Sequence, residues 1–331
     1  MSITEGQEIA TYDVVVVGGG AAGLSGALTL GRARRSVLVV DAGGPRNAPA
    51  SGVHGFLTRE GTNPAALLRA GREEVHRYDV RVLDGRVDSA FPVDGGGFAV
   101  GLEDGRRVHA RRLLVTTGLV DELPDVPGVP ERWGRDVLHC PYCHGWEVRD
   151  WPIGVLALNS RAAHQALLFR QWSADVTLFL HTAPRPTDEE AEKLVARGIA
   201  VVEGEVASLE VAEDRLAGVR MGSGEVFALR ALALVPRFVA RVEMLAGLGF
   251  ETTVHPLGMG EHIDADVTGL TAVPGVWVAG NVADIAETVV GAAGAGVRAG
   301  AAINADLIAE ETERAVTAYR ARHEALAAGR R

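Results

Sequence analysis

A run of β-branched residues, Tyr12-Asp13-Val14-Val15-Val16-Val17, breaks straight into Gly18-Gly19-Gly20-Ala21-Ala22-Gly23. The run reads as a strand buried on both faces of a parallel sheet. A small-residue helix is predicted over 24–32, and a second strand over 36–40 that ends in Asp41. Strand, glycine turn, helix, strand and acid stand in the register of a dinucleotide-binding unit. Gly18 permits the tight turn, Gly20 lets backbone approach a pyrophosphate, and Gly23 permits close helix–strand packing. The helix N-terminus, at Ala21 and Ala22, supplies N–H groups and partial positive charge. Asp41, eighteen residues past Gly23, can accept from a ribose hydroxyl.

Further on, the chain reads as a loop over 43–55, a helix over 64–78, and short strands over 80–87, 98–102 and 107–110. A buried strand over 113–117 ends in Thr117-Gly118. Residues 120–130 contain three prolines and read as a linker. A strand over 152–158, a helix over 162–172 and a strand over 176–180 form a second βαβ unit. Elements over 189–197, 201–202, 206–211 and 226–235 continue it, and the chain leaves it near 238–248. A late strand over 276–280 runs into Gly280-Asn281, whose polar side chain can reach a cofactor or merely form a turn. A small-residue helix over 291–308 and a separate charged helix over 310–326 close the chain. The fold class is α/β: two Rossmann-like three-layer domains, the second inserted in the first. The expected division is 1–118 with 245–331 for the dinucleotide domain, and 119–244 for the insertion.

Composition narrows the function classes. At roughly 150 residues per domain, 331 residues accommodate two domains. Lys and Arg total 33 against 43 Asp and Glu, a net charge of −10, with Lys193 the only lysine. That balance argues against a nucleic-acid or anionic-membrane binder. The uncharged stretch 14–30 carries five glycines, which suits a buried strand, turn and helix better than a membrane span. Residues 1–12 are polar and acidic, with no leader pattern, so a cytoplasmic protein is expected.

The two cysteines of the chain lie in Cys140-Pro141-Tyr142-Cys143-His144-Gly145. They are too few for a secreted disulfide framework. Zinc needs four ligands, and His139 and His144 would crowd the same turn, so no metal site is expected. A redox dithiol fits the spacing better. The second βαβ unit lacks a glycine turn of its own. Its turn reads Ala157-Leu158-Asn159-Ser160-Arg161-Ala162, and side chains at 157 and 159 obstruct a dinucleotide. Paired arginines for a 2′-phosphate are missing, although Arg161 or Arg185 could substitute; NADPH binding stays open.

Taken together, these residues resemble the thioredoxin reductase-like flavoproteins over roughly residues 10–308. The resemblance implies FAD in the first domain, held also by Asn47, Val87 and Val289, and a homodimer. It implies that Cys143 lies against the flavin while Cys140 exchanges with a dithiol or disulfide substrate. The reductases carry an acid after the second cysteine, where this chain has His144, and an aspartate where it has Asn281. The C-x-x-C-H-G pattern is similar to the dithiol oxidases of gliotoxin- and holomycin-type metabolites, and to an actinobacterial branch. It implies dithiol oxidation through FAD to oxygen, with His144 as general base. The alternatives are reduction of a disulfide by NADPH, ferredoxin or reduced flavin, and a flavin-bound redox sensor.

Overall fold

The computed structural model describes residues 9–256 and 258–328; the acidic segment 1–8 and the last residues, 329–331, lie outside them. Ala10–Val17 is the axis of the first sheet. On one side it pairs parallel with Val37–Asp41, which pairs parallel with Arg81–Asp84. On the other it pairs parallel with Arg107–Val115. That strand changes partner along its length. Its first half continues antiparallel into the meander Phe98–Leu102 and Val87–Pro92, and its second half pairs parallel with Val276–Val278.

Alternation sorts the valine run between two cores. Val14, Val16, Val37, Val39, Leu114 and Trp277 face Leu24, Ala27 and Leu30 of the helix Ala21–Arg32, and Ala299, Ile303 and Leu307 of the closing helix. Val15, Val17, Leu38, Val40, Leu113 and Val115 face the meander together with Leu245 and Leu248. Helices, parallel sheet and meander make three layers.

The second sheet repeats the scheme. Ala200–Val202, Val176–Phe179, Ile153–Leu156, Ala231–Leu234 and Val137–Leu138 lie parallel in that order. The helix Ala162–Phe169 covers one face through Ala163, Ala166 and Phe169. An antiparallel sheet, Val206–Ala212, Arg215–Met221 and Val226–Ala228, covers the other through Leu209, Leu216 and Val219. Two Rossmann-like units therefore share one chain, the second interrupting the first between Val115 and Val276.

Several boundaries differ from the sequence reading. The 120–130 linker carries a strand, Leu119–Glu122, antiparallel to Arg237–Ala240, so the two segments that join the units form a ribbon. The strand expected over 80–87 breaks at Gly85: Arg81–Asp84 pairs with Val37–Asp41 at one edge of the sheet, and Val87–Pro92 pairs with Phe98–Leu102 at the other. The 226–235 strand breaks likewise between Ala228 and Ala231. The two closing helices are one, Val289–Ala328. No Gly or Pro interrupts 301–327, so the onset of charge at Glu310 changes the surface of the helix and not its path. Among the described residues no helix is long and apolar enough to cross a membrane.

Candidate active site

The glycine turn is set by its own backbone. Gly18 has φ +109°, and a Cβ there would stand 2.5 Å from the Thr116 carbonyl oxygen. A Cβ on Gly23 would stand 1.9 Å from the Gly18 carbonyl oxygen. Thr116 Oγ1 donates toward the carbonyls of Val17 and Gly18 at 3.1 and 2.8 Å, which ties the turn to the neighbouring strand. A Cβ on Gly20 would meet nothing within 4 Å. The first N–H groups of Ala21–Arg32 have no partner within the helix, and no acidic side chain occupies its first turn. Open space in front of bare amides is a cradle for a pyrophosphate, so the residues present fit FAD.

The cleft before this turn gathers the predicted residues. Gly18, Gly20, Ala21, Ala22, Asp41, Asn47, Val87, Thr117, Gly118, Gly280, Asn281 and Val289 line it, with Cys140, Cys143 and His144. Gly23 does not; it packs beneath the turn. Asp41 accepts from Arg72, which also donates to Asp84 at 2.7 Å, and its other oxygen accepts from the Gly43 N–H at 3.3 Å. Asn281 uses its side-chain N–H groups on the carbonyls of Asp284, Ile285 and Glu287 at 3.1, 3.4 and 3.0 Å. An aspartate there could not donate, so asparagine shapes the loop that leads into the closing helix. Thr117 Oγ1 donates to the Arg241 carbonyl at 2.7 Å and clamps one crossing segment to the other.

Cys140 and Cys143 form a disulfide with their Cα atoms 5.3 Å apart. Both are part-exposed on the short turn Pro141–His144, and Cys140 Sγ accepts from the Cys143 N–H at 3.2 Å. Burial pushes the His144 imidazole below the usual histidine range; Glu147 opposes the shift and His54 adds to it. His139 falls further, to about 4, through burial and then the Arg46 cation. Arg46 grips Asp121 through both carboxylate oxygens and stacks 4.9 Å from the Phe238 ring centroid. The His139 ring meets the same Phe238 edge-on at 5.1 Å. Both imidazoles beside the disulfide are therefore neutral near pH 7.

Sequence reasoning missed Thr116, Arg46, Asp121, His54 and Glu147. Only Thr116 left a signal. In Thr116-Thr117 the strand's alternation sends one hydroxyl to the glycine turn and the other to the crossing segment.

The second unit's turn is closed by its own residues. Asn159 Oδ1 accepts from the Arg161 N–H at 3.0 Å, at the helix start where a phosphate would sit. Arg185 is paired with Glu203 at 2.6 Å. Among the described residues no cluster of three or more His, Cys, Asp or Glu could hold a metal ion.

Residues 12–296 match the family model described as pyridine nucleotide-disulphide oxidoreductase. The crystal structure of HlmI is 47% identical, superposes with a TM-score of 0.87, and covers 92% of this chain and 95% of its own. Thioredoxin reductase sirT of Leptosphaeria maculans is 30% identical over 88% of this chain and 93% of that protein. A probable thioredoxin reductase of Arthroderma benhamiae is 37% identical over 44% of this chain, and this match spans only 37% of that protein. With its three-layer units and its disulfide on the cofactor cleft, the chain belongs to the pyridine nucleotide-disulphide oxidoreductase family, as an FAD-dependent disulfide oxidoreductase.

Proposed function

We propose that this enzyme oxidises a substrate dithiol to a disulfide, with Cys140 and Cys143 as the exchange pair and oxygen as the final oxidant. The observation that carries this is the pairing of a disulfide and a neutral His144 on one cleft wall. Neutral His144 takes a proton from the incoming thiol. The thiolate attacks Cys140 Sγ, the Cys140–Cys143 bond breaks, and Cys143 leaves as a thiolate. The second substrate thiolate attacks the substrate sulfur of the mixed disulfide and releases Cys140. The product leaves as a disulfide, and its two electrons remain on the cysteine pair. FAD, when bound, supplies the two-electron acceptor. Over a full cycle one dithiol gives two electrons and two protons to one O2, forming hydrogen peroxide.

In this reading residues 1–118 and 245–331 bind FAD, and 119–244 present the disulfide. Asn159 is committed to the turn itself, and no glycine opens that turn to a phosphate, which favours a thiol over NADPH as the electron source. The enzyme is taken to be a cytoplasmic homodimer. The exposed Ile308, Val316 and Tyr319 on the closing helix support a partner surface, which mass measurement in solution by light scattering tests directly. For the reaction itself the test is oxygen uptake with dithiothreitol. Peroxide should form in step with dithiol loss, and Cys140→Ser should abolish both.

A further inference from the structure

Each dithiol oxidised gives up two thiol protons at one place, and one imidazole holds one at a time. The cysteines only defer the problem, because any proton they take must leave before their disulfide re-forms. Although both protons end on peroxide, dithiol oxidation precedes oxygen reduction, so His144 needs a group that exchanges its proton with solvent between the two half-reactions. His54 lines the same cleft. Its Nδ1 is 2.6 Å from Glu60 Oε1, and the other Glu60 oxygen accepts from the Gly55 N–H at 2.9 Å. These bonds hold the Glu60 carboxyl below its usual range, so it stays ionised and acts only as an acceptor. The hydrogen then sits on His54 Nδ1, and Nε2 is left to exchange a proton. Nε2 is 3.6 Å from Glu147 Oε1, within direct electrostatic reach of that carboxylate.

The exposures give the direction. The His54 side chain is 18% exposed, so its ring reaches from the cleft wall to solvent, while the 64% exposed Glu60 only holds it in place from outside. The loop is closed at its base by Val53 and Thr62, whose N–H and carbonyl meet at 2.8 Å. His54 faces Glu60, Glu147 and His144. His144 lines the same cleft and feels the charges of Glu147 and His54, while His139 feels Arg46 and Asp121. Charge on one of the two rings disfavours charge on the other, so the pair holds one proton more readily than two.

We propose that His54, oriented by Glu60, relays protons between His144 and solvent during dithiol oxidation. It acts through His144 and is a positioning residue; the proposal rests on the dithiol reading above. The test uses the FAD-loaded enzyme under nitrogen with dithiothreitol. It follows the flavin band and, by rapid alkylation and mass spectrometry, the opening of Cys140–Cys143. At pH 7, His54→Ala should slow both signals about 10-fold or more, with FAD content unchanged. Added imidazole should restore most of the rate. Glu60→Gln should give a smaller loss, rescued in the same way. An unchanged rate in both variants, or a loss that imidazole leaves untouched, overturns the relay alone. A wild-type enzyme that dithiothreitol does not reduce, but NADPH does, overturns the relay and the dithiol reading together.

Discussion

Gly20 and Gly23 lie three residues apart and should fail in different ways. A side chain on Gly20 enters open space, so Gly20→Val should fold and remain colourless, its valine filling the pyrophosphate cradle. A side chain on Gly23 meets the Gly18 carbonyl, so Gly23→Val should lose the fold itself. Soluble yield and FAD content, measured together, separate the two. His144 makes a second residue-scale prediction. As the base, His144→Ala should slow dithiothreitol-driven flavin reduction by roughly 10²–10⁴-fold while FAD stays bound. The base is active when neutral. Burial lowers its pKa, so wild-type activity should persist somewhat below the ordinary histidine midpoint and fail only at more acidic pH. An unchanged profile in His144→Ala would leave the residue no part in the reaction.

The closing helix shows what an element needs beyond its own pattern. Glu311 pairs with Arg35 and Arg111 at 2.6 and 2.7 Å, and Arg112 reaches Asp306 and Glu310 at 2.5 and 2.6 Å. The two arginines first, and then burial against them, leave the Glu311 carboxyl at about 2. Its contribution is present above the ordinary glutamate pKa and is lost as pH falls toward 2. Glu311→Gln should therefore expose the C-terminal part of the helix to amide exchange at neutral pH, as acid does in the wild type. The parts legible in the sequence were those where one short segment carries its own geometry: the valine run, the glycine turn and the cysteine turn. Less legible was whatever depends on distant partners. The single closing helix is fixed by arginines far earlier in the chain, and the ribbon Leu119–Glu122 exists only because Arg237–Ala240 returns beside it. At Asn281 the sequence leaves a cofactor contact and a turn both open; the residue lines the cleft, and its N–H groups meet three carbonyls of the following loop, partners no local pattern announces.

Across the whole molecule, the two units meet where Arg46 and Asp121 lock the crossing ribbon and His139 rests on Phe238. The Asp121 side chain is only 8% exposed, so Arg46→Ala strands a buried carboxylate. The expected cost is about 3 kcal/mol, read as a lower thermal midpoint. His139 adds a pH term. Its folded pKa of about 4 lies below the unfolded 6.5, so the unfolded chain binds the extra proton first. That stability is whole above pH 6.5 and drains as pH falls toward 4. A shift of this size corresponds to on the order of 3 kcal/mol. His139→Phe should flatten the decline in denaturation curves between those limits.

The direction of electron flow is the central claim, and flavin bleaching under nitrogen reads it in a single comparison. Dithiothreitol should bleach the bound FAD of the wild-type enzyme rapidly and completely, while NADPH at the same concentration leaves it yellow. Rapid bleaching by NADPH, with dithiothreitol inert, would contradict the account and make the enzyme a disulfide reductase.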